Sequence, residues 1–425
     1  MVGVLAAGIS LMRLWLGNPR AITETLWAED GLFPLCIHKA DFVTCVSDPF
    51  AGYLLFLPRV LAWPVSVTSW ESWALVANVL AAALAGLMAA LVLVIARGAH
   101  LGWFVSVAIA LLPVITPMAG LEALNSIGSS YMLLLFAATL AVLFRPDRGP
   151  GWTAVIAVVL LVTALTIPST VVVLMVLGVQ LLRGAVTKKT GLVWGTALVI
   201  GLAAQAAVAL TATTRRPLQL TAESLNAWAD SVPTSILTYW PGLSLGEYSF
   251  FTNFTLAPLP GTGWVIVALI LVLGVWRLIL GWRSLETNNS SIGLLLLSGL
   301  ALGLIPSAIG YANNRYFVVP LLLWGAAGLV WLDPVIRRTR PWVLAGMTAL
   351  VAAVWWPAIP ASEYRSTPAP EWTAEVARVE AKCLADPAFV DRPIFSPFWP
   401  PNWGDGLNEP THPNLPCTTV FRWLP

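Results

Sequence analysis

Charge is what this chain lacks most. Only 10% of its 425 residues are Asp, Glu, Lys or Arg, and the net charge is +2. A soluble domain carries about 25% charged residues, so this chain cannot clothe a water-facing surface of its size. The same shortage excludes a charged coiled coil and a disordered chain. No basic run is long enough to track a phosphate backbone, which excludes a nucleic-acid binder. Histidine is scarce, with 3 residues, and cysteine numbers 4. None of the cysteines follows a zinc-ligand spacing. What is present instead is apolar: 58% hydrophobic residues, a mean hydropathy of +0.80, and 22 Trp. Trp favours the membrane–water interface, where its ring and its N–H are both satisfied. The composition therefore reads as an all-α polytopic membrane protein.

A spanning helix needs about 20 apolar residues. Uncharged stretches of that order cover 72–96, 101–121, 123–144, 190–214, 248–276, 287–314, 316–332 and 341–362. A first, short span at 1–17 contains Arg13. Residues 149–182 are uncharged but too long for one pass at about 1.5 Å per residue, and Pro168 lies near their middle. Arg145 and Arg148 precede them, and Arg183, Lys188 and Lys189 follow. Short basic loops stay cytoplasmic, which favours two short spans meeting near Pro168 over one bent helix. The result is eleven helices, N-terminus cytoplasmic and C-terminus extracytoplasmic. On this layout the cytoplasmic loops hold eleven Lys/Arg and three acids, Asp147, Glu286 and Asp333. The other eighteen acids face outside. Residues 1–357 form the membrane domain, with large outside loops at 18–71 and 213–262, and 358–425 form an outside C-terminal segment. No internal repeat is visible, which counts against transporters built from inverted halves.

All four cysteines fall outside, where disulfides are the default. Of three pairings, the local ones are expected: Cys36 with Cys45, and Cys383 with Cys417. The 18–71 loop alternates acids with Trp, Phe and Pro, and its apolar stretches are too short to span, as in helices lying on a membrane surface. Within it, Glu29 and Asp30 stand side by side next to Trp27 and Phe33. Partial desolvation and mutual repulsion raise the proton affinity of one member of such a pair, which then serves as a general base. The alternative is an acid in a first helical turn, or a solvated loop charge. Asp41 and Asp48 suit capping or solvated roles. Arg59 and Arg315 either neutralise a lipid phosphate or snorkel to headgroups. Trp372, Trp399, Trp403 and Trp423 either stack on sugar rings or pack against the membrane domain.

The Trp27-Ala28-Glu29-Asp30-Gly31 stretch resembles the acidic first-loop motif of GT-C superfamily glycosyltransferases. Asn313-Asn314-Arg315-Tyr316 is similar to the Arg-Tyr at a late helix mouth in some of them. Pro49 to Tyr53, Pro58-Arg59 and Glu122 to Asn125 resemble stretches of actinobacterial membrane proteins of this kind. The resemblance covers the whole membrane layout. It implies a multi-pass enzyme of the bacterial plasma membrane that moves a sugar from a polyprenyl-phosphate donor to a cell-envelope glycan or glycolipid, with inversion and without a metal or other cofactor. It further implies Asp30 as general base, with Glu29 second, and donor-phosphate contacts from Arg59, Arg315 and Tyr316. Glu122, Asn125, Tyr53 and Glu247 are candidates for sugar or acceptor contacts, and for Glu122 and Asn125 a plain turn is the alternative. An actinobacterial enzyme of this kind points to arabinofuranose or mannose. The competing expectations are a transporter or flippase, which predicts ionisable residues buried within spans, and a non-catalytic scaffold of envelope assembly.

Overall fold

Backbone amides have no water to bond in hydrocarbon, so a spanning chain must close its hydrogen bonds within helices or a barrel. This chain uses helices. The computed structural model describes residues 1–26, 29–39, 41–50, 52–117, 119, 123–145, 149–212, 221–236, 261–284, 287–308, 314–355, 371–386, 388, 390–391 and 415–417. Among them, five helices are long and apolar enough to cross a membrane: Trp70–Gly98, Lys188–Thr211, Thr262–Trp282, Asn288–Pro306 and Val318–Ile336. Six shorter apolar helices, Val2–Gly17, Trp103–Ile115, Tyr131–Phe144, Pro150–Thr166, Pro168–Leu182 and Pro341–Ala353, occupy the remaining expected spans. The chain is an all-α, multi-pass membrane protein.

The helices are α1 (Val2–Gly17), α2 (Ala21–Glu24), α3 (Glu29–Lys39), α4 (Phe42–Ser47), α5 (Phe56–Ser66), α6 (Trp73–Gly98), α7 (Trp103–Ile115) and α8 (Tyr131–Phe144). They continue as α9 (Pro150–Thr166), α10 (Val171–Leu182), α11 (Lys188–Thr211), α12 (Ala222–Thr234), α13 (Thr262–Ser284), α14 (Thr287–Ala308), α15 (Val318–Ile336), α16 (Pro341–Trp355) and α17 (Trp372–Ala385). The bundle centres on α8, where every residue from Met132 to Phe144 is buried. A helix apolar on all faces belongs inside a bundle, and α6, α9, α10 and α15 surround it. α1 reaches α6 at backbone distance: a Cβ on Gly86 would lie 2.5 Å from the Gly3 carbonyl. Small residues permit such contact between membrane helices.

Two spans differ from the sequence reading. Uncharged residues 101–121 and 123–144 are longer than the helices they contain. α7 ends at Ile115 and α8 starts at Tyr131. The stretch between carries Asn125 with φ 57°, in the left-handed region, and Ser126, Gly128, Ser129 and Ser130. Such residues favour turns over helix interiors. Hydropathy alone cannot separate an apolar helix from an apolar turn that is buried in protein.

Residues 149–182 fold as two helices. Thr166 ends α9, a 3-10 turn covers Pro168–Thr170, and α10 follows. Both flanks lie at one end, because Arg145 Nη1 donates to the Ala185 carbonyl and Gln180 Nε2 donates to Leu143 O at 3.1 Å. The turn lies at the other end, where Thr166 Oγ1 accepts from Leu57 N at 3.2 Å.

At that end the first loop, the C-terminal segment and the start of α6 (Trp73, Ala74, Ala77 and Ala81) build a second apolar core. α17 buries Trp372, Val376, Val379 and Cys383 at helical spacing. Trp372 lies among Trp70 and Trp73, with ring centroids at 5.9 Å and 6.1 Å. Its Nε1 donates to Trp70 O at 2.7 Å. Glu24 accepts from Thr373 N at 3.0 Å and Thr373 Oγ1 at 2.7 Å. This Trp is therefore packed rather than offered to a sugar, while Trp399, Trp403 and Trp423 lie outside the described residues. The Cys383–Cys417 disulfide closes within the segment, beside a two-residue antiparallel ladder of Val390–Asp391 with Leu415–Pro416. It does not tie α17 to the first loop; the Trp cluster and the polar contacts of Glu24 with Thr373 and of Arg20 with Glu371 do. Trp372→Ala is expected to cost about 3–5 kcal/mol of that docking, read as cleavage of the C-terminal segment in limited proteolysis. Unchanged cleavage would show that other contacts hold α17.

Candidate functional site

α3 begins at Glu29, so the acidic pair forms the first turn of a helix, where negative charge is favourable. The Glu29 side chain lies outside the described residues. Asp30 is 1% exposed. Its Oδ1 accepts from Ser126 Oγ at 2.9 Å and from Gly128 N at 2.8 Å. Ser126 Oγ also accepts from Ser129 N at 3.2 Å. The carboxylate is thus fastened to the turn that precedes α8, and two donors fix the orientation of its plane.

α1 holds the same turn from the other side. Asn125 Nδ2 donates to Ser10 O at 3.0 Å, and Ser10 Oγ donates to Asn125 Oδ1 at 2.8 Å. Arg13, fully buried, donates to Val114 O at 3.0 Å, Thr116 O at 2.8 Å and Pro117 O at 3.0 Å. Val114 O belongs to the last turn of α7, whose carbonyls lack helical partners; Thr116 O, which also accepts from Ala119 N at 3.1 Å, and Pro117 O follow it. The charge in the first span is therefore a cap on a neighbouring helix. Asn125, a candidate sugar contact, has both ends of its amide on Ser10.

Arg59 is 3% exposed on α5. Its Nη1 donates to the Cys45 and Asp48 carbonyls. Nη2 lies 3.7 Å from the Asp48 carboxylate, and the guanidinium sits 5.6 Å above the Phe33 ring centroid. Burial lowers its pKa to about 10, opposed by Asp48 and Tyr53. Arg59 closes the carbonyl end of α4, where Asp48 is the C-cap residue. The Cys36–Cys45 disulfide links α3 to α4 beside it, with Cα atoms 5.8 Å apart. Asp41 caps the other end of α4: its carboxylate accepts from Thr44 Oγ1 at 2.6 Å and Thr44 N at 2.9 Å. The Thr44 side-chain and backbone hydrogen bonds lower the Asp41 pKa. Tyr53 exchanges backbone hydrogen bonds with Phe50 and packs edge-on against its ring at 6.2 Å. The first loop is thus a cross-braced unit that presents Asp30 inward.

Arg315 and Tyr316 belong to a 3-10 turn, Asn314–Phe317, that leads into α15. The Arg315 side chain lies outside the described residues, and Tyr316 is half-buried. The far end of α15 is fixed: Asp333 Oδ1 accepts from Gly102 N at 2.9 Å, in the turn between α6 and α7. Asp333 also pairs with Arg337 at 2.7 Å. The Asn314–Phe317 turn therefore sits at the Asp30 end of the bundle. Glu122 and Glu247 lie outside the described residues. Among the described residues no group of three or more His, Cys, Asp or Glu could hold a metal ion.

Ser126, Gly128 and Arg13 are positions whose roles the sequence reading did not anticipate. Arg13 carried a signal, since a cation inside a span is costly and needs partners. Ser126 and Gly128 carried none beyond their turn chemistry.

No family model matches the chain, and no curated protein matches it. Among solved structures it is similar to the crystal structure of the Archaeoglobus fulgidus oligosaccharyltransferase in complex with zinc and sulfate. The identity is 14% and the TM-score 0.45, over 91% of this chain and 55% of that one. This chain thus spans about half the length of that protein.

Proposed function

We propose that this chain is a GT-C-type membrane glycosyltransferase that moves a sugar from a polyprenyl-phosphate donor to an envelope glycan or glycolipid. What carries the reading is a buried, oriented carboxylate, Asp30, held at one end of the membrane bundle by Ser126 and Gly128. The Asn314–Phe317 turn with Arg315 and Tyr316 sits at that same end. In this reading that end faces the extracytoplasmic side, and the N-terminus is cytoplasmic.

The acceptor hydroxyl attacks the anomeric carbon, and its proton passes to the Asp30 carboxylate. The new carbon–oxygen bond forms as the bond from the anomeric carbon to the phosphate oxygen breaks. Polyprenyl phosphate leaves with the electron pair, and the anomeric configuration inverts. Arg315 and Tyr316 would meet the growing phosphate charge. Arg59, whose Nη groups already serve Cys45 and Asp48, would keep the acid-bearing loop in shape. The reaction needs no metal or other cofactor. Arabinofuranose and mannose are the preferred sugars. Arg13 does not favour the transporter reading, because its donors are spent on the end of α7.

The test is a transfer assay with protein reconstituted in nanodiscs, labelled decaprenyl-phosphate arabinofuranose or mannose, and an envelope glycan acceptor. Transfer with inversion is expected, and Asp30→Asn is expected to lower its rate roughly 10²- to 10⁴-fold. Absence of transfer from any polyprenyl-phosphate sugar would overturn the class.

A further inference from the structure

At the end of the bundle opposite Asp30, two arginines close neighbouring helix ends. Arg145 caps α8 with φ 45°, and its Nη1 donates to the Ala185 carbonyl beyond α10. Arg183 caps α10 and donates to Gln180 Oε1 and to Gly281 O on α13, each at 3.2 Å. It also lies 5.9 Å over the Trp282 ring. Three helix ends are thereby gathered around a pair of like charges. Burial, and then the neighbouring Arg183 charge, lower the Arg145 pKa. Arg145 Nε is buried and has no acceptor among the described residues.

Among the described residues no acid pairs with either side chain. The sequence limits what the rest supplies. Stretches 145–148, 183–189 and 277–286 carry seven Lys/Arg against two acids, Asp147 and Glu286. A positive excess remains whatever those two acids do. A topology signal needs only charge in a loop. It does not need guanidiniums that are fastened and half-buried; the carbonyl ends of the helices offset part of their charge, and an anion between the two forks offsets the rest.

We propose that Arg145 and Arg183 form a binding site for the phosphate of an anionic phospholipid headgroup. The planar forks suit phosphate oxygens. Leu182, Leu192, Ile279 and Trp282 are exposed on the adjoining helix ends and give the acyl chains an apolar path, which a soluble anion would not use. Basic positions between helices at a membrane surface hold anionic headgroups in this way.

The experiment titrates the detergent-purified full chain with phosphatidylglycerol and reads bound lipid by native mass spectrometry. With about 1 kcal/mol per cation at a membrane surface, Arg145→Gln/Arg183→Gln is expected to weaken binding roughly 30-fold. Arg145→Lys/Arg183→Lys, which keeps both charges, should stay within about 5-fold. Arg338→Gln/Arg340→Gln removes two exposed charges from the same end and should cost less than about 3-fold. Equal losses from the two Gln pairs would overturn the proposal in favour of diffuse attraction. Displacement of the lipid by millimolar inorganic phosphate would overturn the lipid assignment in favour of a soluble anion. If the double Gln variant is not monodisperse, Arg183→Gln alone should lose roughly 5-fold, and no loss there would equally overturn it.

Discussion

Arg13→Met is expected to destabilise the protein by about 3–5 kcal/mol, the cost of breaking a buried charged contact. The guanidinium is the donor for Val114 O, Thr116 O and Pro117 O at the end of α7. A helix end in water would turn such carbonyls to solvent, but Arg13 is fully buried. Met preserves the stem and removes every donor. Thr116 O keeps its hydrogen bond from Ala119 N at 3.1 Å, so the loss falls on Val114 O and Pro117 O, at about 1–3 kcal/mol for each carbonyl left without a donor, reduced by whatever the turn regains on relaxing. Arg13→Lys keeps the charge and a compact set of donors, so it should recover part of the loss but not the fork geometry. Because the same turn carries Ser126 and Gly128, loss of the α7 cap should also loosen the Asp30 site. The measurement is the unfolding midpoint in mixed detergent–SDS micelles for wild type, Arg13→Met and Arg13→Lys. A Met variant within about 1 kcal/mol of wild type would mean that the α7 carbonyls find other donors at little cost.

Most spans were legible because each is a local property: an uncharged stretch of sufficient length with basic residues at its cytoplasmic end. The break at Pro168 was legible as the favoured of two readings, since length and flanking charge both pointed to a return rather than one bent helix. The site was legible only in part. Asp30 announced itself as an acid beside aromatic residues in the first outside loop, but its partners lie 96 and 98 residues further on. Arg13 finds its carbonyls 101 to 104 residues away. No local window contains either relation. Arg59 shows the same limit from another direction. Its sequence setting suggested phosphate or headgroups, whereas its donors meet carbonyls of its own loop, because the disulfide-linked turn at Cys45 folds back over α5. Hydropathy sees how apolar a stretch is. It does not see which carbonyls a buried cation will find.

Asp30→Asn separates a proton acceptor from an anchor, and the geometry makes the separation clean. Asp30 Oδ1 accepts two hydrogen bonds, and an amide oxygen in the same place can accept both. The fold should therefore tolerate the change within about 1 kcal/mol, while the base is gone. A positioned general base contributes roughly 10²- to 10⁴-fold to rate, so sugar transfer should fall by that factor at an unchanged unfolding midpoint. Asp30→Ala removes the acceptor as well and leaves Ser126 Oγ and Gly128 N–H without it. That variant should lose both rate and stability, the latter by about 1–3 kcal/mol. Ser126→Ala keeps the carboxylate and one donor, so its rate should fall only about tenfold, the scale of one lost orienting hydrogen bond. The order Asn far below Ser126→Ala in rate, yet above Asp30→Ala in stability, is what a catalytic carboxylate produces. An anchor alone produces a different order: Asn would then transfer sugar at nearly the wild-type rate, and only Asp30→Ala would fail.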